Sequence, residues 1–274
     1  MAKTDAKRAL EALLAQPDGS WSLSEGALAV ARIGRRTVDR AACLAELDRL
    51  GQRAREVMGT ARHWRFLAGG LSRVLFTEEG FSSHDDLDPE NWLLDVALES
   101  RRAGPSLLGL ILIEVARRAG LRLAPVGLPD RLLLRLGREE QARFFDPASG
   151  LREWSRESIC QWVETRSGAR GSFREGHLRE ITATQALARV VWDLKIHAWA
   201  RRELELALEA AEMMLTIRPD DPREIADRGR ILFALGRYEE AIDQFETFLS
   251  CCPRGEEAEG MRELILDARR KLRR

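Results

Sequence analysis

Apolar residues recur at helical spacing along most of the chain, and that spacing predicts its elements before any chemistry is considered. Ala6 to Leu14 reads as a first helix ended by Pro17-Asp18-Gly19, and Ser24 stands where it would cap a second through Ala31. Asp39 and Ala41 open a third, with Leu44, Leu47 and Leu50 on one face and continuation to Val57. Ala61 to Phe76 carries Trp64, Leu67, Leu71 and Leu75, a stripe expected in the core. Asp88 is a good N-cap with Pro89 at the first helical position, and its helix is expected to run to about Arg101, before Gly104-Pro105. Ser106 to Ala119 is apolar nearly all round, as in a central buried helix. The period then changes. Leu121 to Val126 alternates, Leu132 to Leu136 does so more loosely, and Phe144-Phe145-Asp146 is a third short candidate, which together predict a small antiparallel sheet. Glu153 to Glu164 reads as helix and Arg166 to His177 as loop. Helical patterning returns near Thr182 or Thr184 and holds to the C-terminus.

The C-terminal helices repeat. Pro219 and Pro253 lie 34 residues apart, the tetratricopeptide period. Within the unit from Pro222 to Gly255, Gly229 is the small residue of the first helix, Gly236 marks the turn, and Tyr238 follows it. Ala241 is the small residue of the second helix, Phe245 and Phe248 fill the core between repeats, and Pro253 ends the unit. The preceding unit is degenerate but in register: Ala207 matches Ala241, Ala211 matches Phe245, Met214 matches Phe248, and Arg202 stands where Gly236 does. Two repeats need a neighbour to bury their faces, so Glu257 to Leu272 is expected to cap the stack. The expected division is residues 1–187 (helical over 1–60) followed by repeats 188–221 and 222–255 and a capping helix, 256–274.

Composition narrows the partners. Lys plus Arg number 44 and Asp plus Glu number 44, so no general attraction to nucleic acid or anionic lipid is expected. No CxxC pair occurs among Cys43, Cys160, Cys251 and Cys252, which argues against a metal or disulfide framework and for reduced thiols in the cytoplasm. The N-terminus is too often interrupted by charge for a signal-peptide core, and the longest uncharged apolar stretch, Ala103 to Ile113, is too short to span a bilayer. His84, Asp85, Asp86 and Asp88 lack the glycine and final glutamate of a calcium loop, so they read as a capping loop. No cofactor or metal is expected.

Four blocks carry a family resemblance over most of the chain: VLFTEEGF with DPENWLLDVALESRRAGPS, LGLILIEVARRAGLRLAPVGLP, RLLLRL with RFFDPASG, and RPDDPREIADRGRILFALGRYEEAIDQFE. In this order the chain resembles the SirB1 family, which joins a transglutaminase-like domain to a tetratricopeptide pair. The resemblance implies an α+β, papain-like first domain, mostly helical, with a buried helix on a small antiparallel sheet, then an all-α hairpin stack. Active transglutaminase-like enzymes attack an acyl group with a Cys at the start of that helix, served by a His and an Asp on successive strands. The resemblance places those roles on Ser106, Arg131 and Asp146.

That triad is broken. Serine is a poor nucleophile without an adjacent base, and arginine stays protonated and cannot be one. An Arg131–Asp146 ion pair is the expected remnant, with Ser106 read as a helix N-cap and Asp146 equally as a turn aspartate before proline. The expected function is therefore a non-catalytic interaction or scaffold protein, with a partner protein on 188–274 or those helices docked on the first domain. The alternative is a residual hydrolase or acyl transferase using Ser106 or Cys160, the latter with His177. No nucleic acid or membrane contact is expected.

Overall fold

The computed structural model describes residues 2–33, 37–83, 88–138 and 141–273, with side chains described from residue 6 onward. Four helices come first: α1 (Ala2–Leu14), α2 (Leu23–Ala31), α3 (Arg40–Met58) and α4 (Trp64–Ser72). Asp39 caps α3 as expected, its carboxylate accepting from the Ala42 N–H. The cap of α2 is Ser22 rather than Ser24. Ser22 and Glu25 form a reciprocal capping box, which leaves Ser24 buried and donating to Glu114. The stripe from Trp64 also departs from expectation. After Ser72 the chain widens into a π-helical turn, Arg73–Glu78, which still buries Val74 and Leu75.

The helix expected from Asp88 is divided. A 3₁₀ turn, Pro89–Trp92, is separated by an extended Leu93 from α5 (Leu94–Ser100), and Asp88 makes no capping bond. Its carboxylate instead accepts from Arg201, far along the chain. Its sequence neighbours His84, Asp85 and Asp86 lie outside the described residues.

Helix α6 (Pro105–Arg118) is the centre of the molecule, with every residue from Ser106 to Ala116 buried. Against it lies an antiparallel sheet ordered β1 (Leu123–Leu128), β2 (Arg131–Leu136), β3 (Arg143–Asp146), β4 (Arg152–Trp154). The strands alternate faces, as a two-residue period requires. Leu132, Leu134, Leu136 and Phe145 join the main core with α6, while Leu133 and Phe144 join Ile159 and Val163 of α7 (Arg156–Ser167) on the other side. Strand β4 was not expected. Its three residues show no apolar alternation, and Ser155 caps the next helix immediately after it.

The C-terminal helices are α8 (Ala183–Ala200), α9 (Leu204–Ile217), α10 (Pro222–Ala234), α11 (Tyr238–Cys251) and α12 (Glu256–Leu272). They form two antiparallel hairpins and a cap. The repeat residues occupy the expected places. The side of Gly229 faces Phe245, where an added Cβ would lie 2.6 Å from a ring carbon. Ala241 and Phe245 are fully buried, and Tyr238 meets Phe233 edge-on at 5.4 Å. Pro253 follows the end of α11. Gly236 takes φ +77, and Arg202, its counterpart, takes φ +62, so the degenerate repeat keeps the left-handed turn without the glycine. Among the described residues no helix is long and apolar enough to cross a membrane.

The hairpins are not detached from the first unit. Ala186 to Leu194 of α8 and Ala210, Met213 and Met214 of α9 belong to the main core, whereas Ala198 of α8 and Ala207, Leu208 and Ala211 of α9 join α10, α11 and α12 in a second cluster around Phe245 and Met261. Glu46 on α3 is held by Arg49 at 2.8 Å and by Arg101, which joins α3 to the chain just before α6. The Arg49 hydrogen bond, helped by Arg101, pulls the Glu46 carboxyl down to about 2. A carboxylate depressed in the folded state stabilises above its unfolded pKa, and the gain disappears as pH falls through the folded value. Melting temperature is thus expected to fall between pH 5 and about pH 2, and Glu46→Gln to shallow that decline; an unchanged slope counts against the pairing.

Candidate functional site

The opening of α6 is built by Gly104, Pro105 and Ser106. Gly104 is the N-cap, Pro105 takes the first helical position, and Ser106 is therefore inside the helix and not its cap. Glycine is needed at 104 for space: a Cβ there would fall 2.0 Å from the Trp92 ring, which is itself 1% exposed. Gly104→Ala is expected to cost about 1–3 kcal/mol by overpacking, measured by urea unfolding, with a shift in tryptophan emission. A neutral result means that Trp92 is free to move.

One turn beyond Ser106, Gly109 brings α6 onto the sheet. A Cβ at Gly109 would lie 2.7 Å from Leu132 and 3.4 Å from Pro147. These are the residues that follow Arg131 and Asp146 in sequence, so α6 packs beside the ends of β2 and β3 from which those two come, while the Arg131 guanidinium itself lies on the α7 side of the sheet, over Trp162. Arg131 opens β2 directly after a two-residue hairpin loop, Pro129-Asp130, in which Asp130 takes φ +53. Asp146 ends β3.

Arg131 and Asp146 form the expected ion pair. Arg131 Nη1 donates to Asp146 Oδ2 at 2.5 Å, and the carboxylate also accepts from the Ser149 hydroxyl at 2.7 Å and the Ala148 N–H at 3.1 Å. Asp146 is thus both a turn aspartate and an ion-pair partner, buried to 1% exposure. The Arg131 guanidinium lies over the rings of Trp162 at 4.5 Å and Trp154 at 5.2 Å, which adds cation–π attraction on the side away from Asp146. Trp162 is fixed in turn, its Nε1 donating to the Pro129 carbonyl at 2.9 Å.

Ser106 is buried to 1%, and its hydroxyl has no aligned hydrogen-bond partner among the described residues. The ionisable group it faces is the Asp193 carboxylate on α8. Burial pushes the Asp193 carboxyl up, opposed by Arg189, Ser106 and His197. Arg189 Nε stands 3.2 Å from Asp193 Oδ1, and His197 stacks on Trp92 at 4.1 Å between ring centres. So α8 lays Arg189, Asp193 and His197 over the start of α6. Sequence reasoning missed this trio, although its signal was present: three polar residues spaced i, i+4, i+8 on a largely apolar helix. Chemically, the ionisable group facing Ser106 is the Asp193 carboxylate, on which His197 and Arg189 also act.

Cys160 and His177 have other contacts. Cys160 Sγ reaches Glu164 at 3.7 Å, and its thiol is pushed up by desolvation and by that carboxylate, away from the thiolate a nucleophile needs. His177 Nδ1 accepts from the Arg174 N–H at 2.9 Å, and its ring stacks on Phe173.

A family profile described as Transglutaminase-like superfamily matches residues 41–191, and one described as Tetratricopeptide repeat matches residues 194–265. A UPF0162 protein of Vibrio cholerae is 28% identical over 217 residues, 78% of this chain and 80% of the relative. Protein SirB1 of Salmonella typhimurium is 28% identical over 224 residues, 80% of this chain and 82% of the relative. A UPF0162 protein of Pasteurella multocida is 30% identical over 190 residues, 67% of this chain and 70% of the relative. The fold is thus a transglutaminase-like domain joined to tetratricopeptide hairpins. The chain belongs to the SirB1 (UPF0162) family.

Proposed function

We propose that this is a cytoplasmic protein-interaction or scaffold protein whose transglutaminase-like domain does no acyl chemistry. The observation that carries the reading is the Arg131–Asp146 pair. At the position the resemblance gives to the general base stands a cation, bound to the buried acid at 2.5 Å and laid over two tryptophans. Arginine stays protonated, so the role that the resemblance gives to the general base has no base at residue 131. The unpaired state of all four cysteines suits a reducing compartment.

Tetratricopeptide repeats generally mediate contact with other proteins, and the C-terminal helices from about residue 188 are the natural place for a partner. Between α8 and α10 lies a hollow of about 150 Å³ lined by Ile196, Trp199, Asp227 and Arg230, with Ile196 at the surface. A second reading has its own observation. The first hairpin contributes to both cores, so α8 and α9 buttress the transglutaminase-like unit on one side and carry α10 to α12 on the other.

Affinity capture from host extract tests the reading, using the full-length protein, Ile196→Asp with Arg230→Glu in the hollow, and Ser106→Ala. The expected result is a partner held by the wild type and by Ser106→Ala but lost from the hollow variant. Equal recovery by all three moves the binding surface off the repeats.

A further inference from the structure

Helix α12 stands in the stack where the first helix of a further hairpin would. It starts at Glu256, one repeat length after Pro222 opens α10, so the two helices can be laid residue on residue. On α10 the row Ile225, Gly229, Leu232 is buried, and Gly229 abuts Phe245 and Gln244 of α11, the second helix of its hairpin. One repeat on, the same row of α12 reads Glu259, Glu263, Leu266, and it is exposed, Leu266 to 59%. The other side of α12, with Met261, Ile265 and Ala268, is buried on the repeat before it. So α12 buries one face on its own stack and presents to solvent the face that in α10 receives a second helix.

The charges on that face are ordered along the helix. α12 is acidic in its first turn and basic in its last. The helix macrodipole favours this arrangement, but only within the terminal turns. Glu263 lies in the middle of the helix, one turn before Leu266. The side chains of Glu259, Glu263 and Arg273 have no partner among the described residues. Hairpin mates run antiparallel, as α10 and α11 do, so the helix that matches this face brings a basic end to Glu259 and an acidic end to Arg273. α12 is itself such a helix. A two-fold axis at Leu266 sets Leu266 on its copy, Glu259 beside Arg273 and Glu263 beside Arg269, since the members of each pair are equally spaced about position 266. Arg269 is held by Glu246 at 2.9 Å in an exposed pair. Arg262 and Arg270, which the axis also sets together, are directed to the Pro253 carbonyl and to Asp267.

We propose that α12 is a self-association surface, on which two copies of this chain pair antiparallel and each helix completes the other's hairpin about Leu266. A patch that matches itself in this way is what a two-fold dimer requires, because every contact of one residue with another is made a second time with the roles exchanged. That match favours a second copy over an unrelated amphipathic helix. Glutamates at 259 and 263, where α10 has Ile225 and Gly229, leave a narrow apolar contact and specify cations at those levels of the partner. α12 has 17 residues and is about 25 Å long, so one helix pair buries less than a standard interface, and the dimer is expected at micromolar rather than nanomolar concentration. None of its residues lines the hollow between α8 and α10, so the dimer stands or falls independently of the partner proposed there.

Sedimentation velocity of the full-length protein tests it, from micromolar to hundreds of micromolar. The wild type is expected to pass from monomer to dimer across that range, and to need a higher concentration as salt rises. Leu266→Lys is expected to stay monomeric and to melt with the wild type, because Leu266 is more than half exposed. Glu259→Arg and Arg273→Glu are each expected to weaken association by about ten-fold, since the symmetric dimer makes the contact twice. Both changes in one chain are expected to restore it, because the reversed charges again meet their opposites. A wild type that is monomeric throughout overturns the inference and leaves this face to another protein's helix. Dimerisation kept by Leu266→Lys overturns it by moving the interface off α12, and a double variant no better than the single ones overturns the antiparallel pairing.

Discussion

Lys195→Ala is expected to cost about 3–5 kcal/mol of folding free energy and to detach α10 from α8. Lys195 is 2% exposed, and its ammonium contacts Glu224 at 2.5 Å and Asp227 at 2.7 Å. Glu224 is also buried, at 6% of its side chain, so removing the lysine strands a carboxylate away from water with no cation. Loss of one partner from a buried pair is far worse than loss of both. Lys195→Met with Glu224→Gln should therefore recover much of the stability, because it removes the stranded charge with little change in volume. Urea unfolding of the wild type, the single and the double variant checks this. A single variant within about 1 kcal/mol of wild type would show that water reaches Glu224.

The second large effect is expected at Arg131. Arg131→Ala leaves the buried Asp146 with the Ser149 hydroxyl and the Ala148 N–H but no counter-charge, and it empties the space beside Trp154 and Trp162. The expected loss is about 3 kcal/mol, toward the lower end for a broken buried pair because two hydrogen bonds to the carboxylate survive. Arg131→Lys should fall between, keeping the charge without the planar contact to the rings. Denaturant midpoints of the three proteins decide it. Equal stability of Arg131→Ala and wild type would mean that the pair does not hold this end of the sheet.

These two ion pairs differ in how far the sequence gave warning. Arg131 and Asp146 were expected to pair because the family resemblance set them in two roles that touch; alternation alone showed the strands and not the pair. The tryptophans over Arg131 gave no such warning, because Trp154 lies on a three-residue strand without apolar alternation and Trp162 comes from the helix beyond it. The repeat was legible down to its turn, since the left-handed residue at Gly236 demands its counterpart at Arg202. Lys195 was not, because a lysine on a helix is usually solvated, and only tertiary packing shows that α10 covers it.

The largest gap in the sequence reading concerns α8. The expected boundary at residue 188 falls inside this helix, and a helical period alone does not show what Arg189, Asp193 and His197 meet. In the structure the same helix closes both units, and Asp193 and His197 meet Ser106 and Trp92 at the start of α6. Helix ends were misplaced for local reasons. Ser22 won the cap of α2 over Ser24 because Glu25 completes the capping box, and Leu93 stays extended between a 3₁₀ turn and α5.

The central proposal is that neither Ser106 nor Cys160 acts as a nucleophile. Its most direct test is labelling of the native full-length protein with a fluorophosphonate and with a chloroacetamide, read by intact mass and peptide mapping. The account predicts no adduct on Ser106 or Cys160 above that of the denatured protein. An adduct on native Ser106 that is absent from Ser106→Ala, or one on native Cys160 that unfolding abolishes, would contradict it.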